Sequence, residues 1–195
     1  NFLDNHDVGR FLFFKNDVAV LKNALVFQFT EDGIPCVYYG TEQGFSGGND
    51  PANREDLWTS GYATNGDLFQ FMKKLTKLRR TYKSLTRGEL KFTWSTDDVG
   101  AETDAGIVAF ERSGGDAGGS YALVVLNLNA THDSAPQSGT ASMKTSLPGG
   151  TVVVDVLHPE AGTKTIAADG TFAPSLPPSS SSVYVPQAEV AANGG

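Results

Sequence analysis

The sequence predicts an α/β segment followed by an all-β segment. Two observations carry this. Through residue 88, apolar strand-like runs alternate with apolar positions at helical spacing. From Glu89 onward, short β-rich runs succeed one another, separated by Gly, Asp, Ser and Pro.

The elements follow in order. "NFL" is a short apolar strand that runs into the polar cluster "DNHD". Asn16 or Asp17 caps a helix in which Val18, Leu21, Leu25 and Phe29 recur at helical spacing, and Gly33 follows as its C′ residue. "GIPCVYYG" is bounded by glycines and rich in β-formers, which predicts a buried strand. Within it, Cys36 reads as a small buried hydrophobe rather than a thiol nucleophile. The segment "TEQGFSGGNDPANREDLWTSGYATNG" has no apolar periodicity and many turn residues, so it is a long loop. Asp67 caps a second helix with Leu68, Phe71, Met72, Leu75 and Leu78 on its core face. Lys77, Arg79 and Arg80 sit near its C-terminus, where the helix dipole favours cations. The order β-α-β-loop-α implies a parallel sheet with helices outside it. Two strands do not close such a sheet.

In the second part, "ELKFTW", "GIVAFER", "YALVVLNLN", "TVVVDVL", "TKTIA" and "SSVYVP" are strand candidates. They predict an antiparallel β-sandwich of about six to eight strands. "ERSGGDAGGSY" reads as a hairpin loop. "PSLPPSSSS" has a linker's composition, but a strand follows it, so it reads as an edge or connection within the domain. "AEVAANGG" reads as a frayed tail.

Composition excludes some classes of function. The formal net charge is −7, which disfavours nucleic acid, whose phosphates require a basic face. No apolar run approaches the roughly 18 residues of a membrane span. With one cysteine, no disulfide closes within these 195 residues.

Two polar clusters are candidates for chemistry. In "LDNHD", strand periodicity puts Asp4 and His6 on one side and Asn5 and Asp7 on the other. Side chains splay at a strand's end, so His6 and Asp7 are compatible with one cleft. In barrels of parallel strands, sites are built at such C-terminal strand ends. The competing reading is a loop closed by an Asx-type turn. The spacing matches neither a zinc site nor a calcium loop. In "GGNDPANRED", Arg54 offers a planar fork of donors and Asp50 an acceptor, a pair suited to sugar hydroxyls. The competing reading is an Asp50–Arg54 ion pair that only holds the loop. Tyr38, Tyr39, Phe45, Trp58 and Tyr62 either stack on sugar faces or pack the core and rim. Glu42 is an acid–base group or a structural acceptor, and His132 and His158 read as solvated turn residues.

"FLDNHD" followed by "GIPCVYYGTEQGFSGGNDPANRE" resembles the α-amylase family of glycoside hydrolases. "LTKLRRTYKSLTRGEL" and "GIVAFERSGG…YALVVLNLN" resemble that family's passage into its antiparallel C-terminal domain, and the resemblance fades after about Leu128. It implies that residues 1–88 are the last two β/α units of a (β/α)8 barrel. Residues 89–187 are then the β-sandwich C-terminal domain and 188–195 a tail. A barrel of this kind needs eight strands. An N-terminal remainder of about 250–350 residues, carrying barrel strands 1–6, is therefore expected as a partner.

The chemistry implied by the resemblance is retaining hydrolysis of internal α-1,4-glucosidic bonds in starch-type glucans. Asp7 matches the carboxylate that stabilises the transition state. His6, Asp50 and Arg54 match sugar-binding positions, with Asn5 and Arg10 as supporting groups. The nucleophile and general acid belong to strands outside these residues. Calcium is implied for the complete enzyme with no ligand in this chain. Val8 stands where chloride-activated members carry Asn, which argues against a chloride site. The family's starch-degrading members are commonly secreted. Glucanosyl transfer, as in cyclodextrin glucanotransferases, is the alternative within the family. A non-catalytic carbohydrate-binding β-module and a catalytically inactive relative are the alternatives outside it.

Overall fold

Residues Phe11–Phe14 form a single helical turn, α1, and Val18–Thr30 form α2. Of the two candidate caps, Asp17 takes the role. Its Oδ1 accepts from Ala19 N at 2.9 Å and from Val20 N at 3.3 Å, satisfying amides that the first turn leaves without partners. Leu21, Leu25 and Phe29 are buried as their spacing predicts. Val18 is not: at the first helical position it is 43% exposed. The helix ends at Glu31, and Gly33 follows with a φ of 100°. α3 spans Asp67–Thr81 and buries Leu68, Met72 and Leu75, with Arg79 and Arg80 in its last turn. The computed structural model describes residues 1–115, 117 and 119–194. Contacts divide the chain into two compact units, Asn1–Leu78 and Arg79–Gly195, and the division falls within α3.

The first unit corrects two expectations. Neither "NFL" nor "GIPCVYYG" is a strand. The pairing between them reduces to Asn1 N donating to Ile34 O at 3.0 Å and Cys36 N donating to Asn1 O at 2.7 Å. These two bonds follow the parallel-ladder pattern around a single residue. The ladder stops there because the chain turns away at Asp4, whose carboxylate is committed to Phe11 N and Thr41. Cys36 is exposed rather than buried. Its backbone is engaged, its carbonyl accepting from Gln28 Nε2 at 2.8 Å, but no neighbouring strand covers its side chain.

In the second unit, α4 (Ser84–Arg87) precedes β1 (Glu89–Ser95), β2 (Ile107–Ser113) and β3 (Tyr121–Asn127). A small hairpin, β4 (Gln137–Ser138) and β5 (Ala141–Ser142), follows. β6 (Val152–Asp155), β7 (Thr163–Thr165) and β8 (Ser180–Pro186) complete the strands. All six predicted strands are present. They form one antiparallel sheet in the order β1-β2-β3-β8-β6-β7. β3, an interior strand, is buried at every residue, which explains why its sequence is a continuous apolar run without alternation. Ile107, Ala109, Leu123, Val125 and Tyr184 of the sheet share a core with Met143, Ile166, Phe172 and Leu176 from the connections.

The Pro/Ser run is a connection within this unit, as its position predicted. Leu176 bridges to Ser134, and Ser180 already begins β8. The expected frayed tail instead holds a short helix, α5 (Gln187–Ala192). Its Glu189 accepts from Ser120 Oγ and from Tyr121 N, which ties the turn to the start of β3. Asp116 and Gly118 of the predicted hairpin loop, and Gly195 of the tail, lie outside the described residues. No helix is long and apolar enough to cross a membrane among the described residues.

Candidate functional site

The site is assembled from the bend after Leu3 and the loop that precedes Asp56. Asn5 makes the bend. Its side-chain oxygen accepts from Asp7 N at 2.7 Å and Val8 N at 3.2 Å, an Asx turn that both sequence readings allow. The turn presents the next two side chains to solvent. His6 Nε2 lies 3.4 Å from Asp7 Oδ1, with the side chains 65% and 71% exposed. Asp4, by contrast, is buried. It accepts from Phe11 N at 3.2 Å and Thr41 Oγ1 at 3.0 Å, so it anchors the bend and is not available to a ligand.

The second cluster lies beside the first. Arg54 Nε is 3.0 Å from Asp50 Oδ1, both about half exposed. The same guanidinium approaches His6 O through Nε and Nη2 at 3.4 Å each. The structure therefore brings together all the residues singled out: His6, Asp7, Asp50 and Arg54. The ion pair expected as the competing reading is present. It leaves part of the fork and carboxylate open to solvent.

A buried frame holds the loop. Arg10 is fully buried. Its Nε donates to Glu55 Oε2 at 3.0 Å and its Nη1 to Tyr39 O at 2.6 Å. Its guanidinium carbon stands 4.1 Å from the Tyr38 ring centre and 5.0 Å from that of Tyr39. The other Glu55 oxygen accepts from Ser46 N and Gly47 N, and Gly47 O accepts from Arg10 N at 2.9 Å. The loop closes so tightly that a Cβ at Gly47 would stand 1.8 Å from Ala52 O, and only glycine fits there. Burial, and secondarily the neighbouring Tyr39, raises the Tyr38 phenol above its ordinary range, while the Arg10 and Arg54 charges pull it down.

The remaining candidates separate cleanly. Tyr38 and Tyr39 pack on Arg10, whereas Trp58 and Tyr62 are 65% and 62% exposed on the following loop. Glu42 is structural: its Oε2 accepts from Gly40 N at 2.9 Å. His132, expected to be solvated, is half-buried in the second unit. Its Nε2 meets Gly100 O at 2.5 Å and its Nδ1 meets Asp133 O at 3.1 Å. His158 is exposed, 3.5 Å from Glu160. Among the described residues, no group of three or more His, Cys, Asp or Glu side chains is placed to hold a metal ion.

Two residues escaped the sequence reading, Asn53 and Glu55. Asn53 is fully buried, and its Nδ2 donates to Asn5 O at 3.2 Å and Val8 O at 2.7 Å. Both lie within the loop segment already singled out. Nothing in the residue types alone separates an inward asparagine or glutamate from the outward Asp50 and Arg54.

Residues 1–62 match the family model for the α-amylase catalytic domain. Across its whole length the chain is 35% identical to α-amylase 2 of Schwanniomyces occidentalis and covers 36% of that protein. Over its whole length the chain is thus similar to part of an α-amylase-family protein. The α-amylase of Malbranchea cinnamomea shares its fold with a TM-score of 0.76 at 28% identity, over 100% of this chain and 38% of the other. The γ-cyclodextrin glucanotransferase (CGTase) of Bacillus clarkii gives a TM-score of 0.73 at 28% identity, over 94% of this chain and 25% of the other. The chain thus spans about a third of the length of the curated α-amylases of Schwanniomyces occidentalis that it matches over its full length, 36% in both.

Proposed function

We propose that the protein hydrolyses internal α-1,4-glucosidic bonds of starch-type glucans with retention of configuration. The observation that carries this is the joint exposure of His6 and Asp7 beside the Asp50–Arg54 pair, on a frame fixed by buried Arg10. A carboxylate held at a fixed place can accept hydrogen bonds from sugar hydroxyls and favour the positive charge that develops at the anomeric carbon. Asp7 takes that role. His6 donates to hydroxyls of the same sugar, and Asp50 and Arg54 bind the neighbouring sugar on the non-reducing side. Trp58 and Tyr62 offer apolar faces to further sugar rings.

Retaining chemistry also needs a nucleophile and a general acid about 5–5.5 Å apart. In this reading they lie on barrel strands outside these residues. Residues 1–88 correspond to the last two β/α units of a (β/α)8 barrel whose strands would pair with neighbours outside these residues, and residues 89–187 to its β-sandwich C-terminal domain, with α5 held against the start of β3. Support for this comes from the match of residues 1–62 to the catalytic-domain model and from the relatives' greater length. Calcium and secretion belong to the same reading. Any calcium would be held by residues elsewhere in the complete enzyme, and no step of the chemistry above passes through it.

The test is Asp7→Asn in the full-length protein, assayed by release of reducing ends from soluble starch. A loss of about a hundredfold or more in kcat with an unchanged melting temperature is expected. Near-normal turnover would reject the role. The similarity to a γ-CGTase over 94% of this chain supports a second reading, glucanosyl transfer to a sugar hydroxyl. Cyclic glucans among the products would decide for it.

A further inference from the structure

We infer that Asn53 is the positioning residue that sets Asp7 in register with the sugar-binding pair Asp50 and Arg54. This rests on the function proposed above. Asn53 is the immediate neighbour of Arg54, yet it points inward and is fully buried. A primary amide carries two N–H bonds on one nitrogen. Asn53 spends one on Asn5 O and the other on Val8 O, the carbonyls that bracket the His6–Asp7 turn on either side. Asn5 Oδ1 closes that turn by accepting from Asp7 N and Val8 N. Between the two amides, the backbone that carries Asp7 is held on both flanks.

The loop end of this link is equally constrained. Glu55 is held by Arg10, Ser46 N and Gly47 N, and Arg54 N donates to Pro51 O. Asn53 thus lies between a fixed loop and the turn that bears the catalytic carboxylate. Its Oδ1 is buried without a hydrogen-bond partner among the described residues. Other residue types do not replace it. Aspartate would turn a carboxylate toward two carbonyl oxygens, serine supplies one hydrogen for two acceptors, and alanine supplies none.

The experiment uses the full-length protein and a double-mutant cycle. Asn53→Asp should lower kcat on maltooligosaccharides about a hundredfold, the scale expected when a reacting group is displaced by about 1 Å. KM should rise only a few-fold. In the Asp7→Asn background the same substitution should change kcat less than about twofold, because it acts through Asp7. Equal losses in both backgrounds, or a wild-type kcat in Asn53→Asp, would overturn the inference and leave Asn53 a merely structural residue. If Asn53→Asp does not accumulate as folded protein, Asn53→Ser keeps one donor and reads the same cycle with a loss of about tenfold. Full activity in Asp7→Asn would instead reject the functional reading itself. Loss in Asp7→Asn with none in Asn53→Asp or Asn53→Ser would reject the positioning role alone.

Discussion

Arg10 and Glu55, 45 residues apart in sequence, form an ion pair at 3.0 Å in which the guanidinium is fully buried. The pair joins the backbone just after the candidate site to the end of the loop that carries Asp50 and Arg54. Its bonds to Tyr39 O, Ser46 N and Gly47 N make it the centre of that frame rather than a surface contact. Removing Glu55 leaves a buried cation with one anion fewer. Glu55→Ala should therefore destabilise by about 3–5 kcal/mol. Denaturant melts of the full-length protein measure this, and a change below about 1 kcal/mol would mean that the guanidinium finds water instead.

Arg54 and Asp50 give the opposite expectation. Both are about half exposed, so their pairing contributes less than about 1 kcal/mol to stability. Arg54→Ala should leave the melting temperature nearly unchanged while raising KM for maltooligosaccharides about tenfold or more, the loss of a charge-assisted contact. An unchanged KM would reduce the pair to a loop clasp.

His132 gives a pH signature in the second unit. Hydrogen bonds to Gly100 O and then Asp133 O raise its pKa above the ordinary value, and the charges of Glu102 and Asp133 add to this. Nε2 meets Gly100 O and Nδ1 meets Asp133 O, acceptors that favour the imidazolium, while Asn129 Nδ2 also lies 2.9 Å from Nε2. A raised folded-state pKa stabilises fully below the unfolded value of about 6.5, and the contribution is lost as pH rises through the folded value. The gap in melting temperature between wild type and His132→Ala should therefore be widest below the unfolded value of about 6.5 and narrow as pH rises through the raised folded value. A gap independent of pH would contradict the assignment.

Asp17 tests the capping argument. Replacing it by Ala removes the acceptor for Ala19 N and Val20 N and should cost about 1 kcal/mol. Asp17→Asn should recover most of that, since a cap needs an oxygen more than a charge. Denaturant melts of the two variants separate these outcomes.

Sequence by itself located two helices, the strands of the main sheet and the polar residues that cluster at the candidate site. Helical spacing located α2 and α3, and runs of β-formers located every strand of the six-stranded sheet, because side-chain period and turn chemistry are local properties. The clustering of His6 with Asp7 and of Asp50 with Arg54 was legible because each pair lies within one short segment.

Tertiary structure decided what depends on partners distant in the chain. "NFL" and "GIPCVYYG" have the composition of strands but pair only around Asn1, since a parallel ladder is made by neighbours and not by propensity. For the same reason Cys36 is exposed in a run that reads as buried. Which polar residues of "NDPANRE" turn inward is also a tertiary fact. Asn53 and Glu55 are claimed by carbonyls and a guanidinium that lie about 45 residues away, while Asp50 and Arg54 are left half open to solvent.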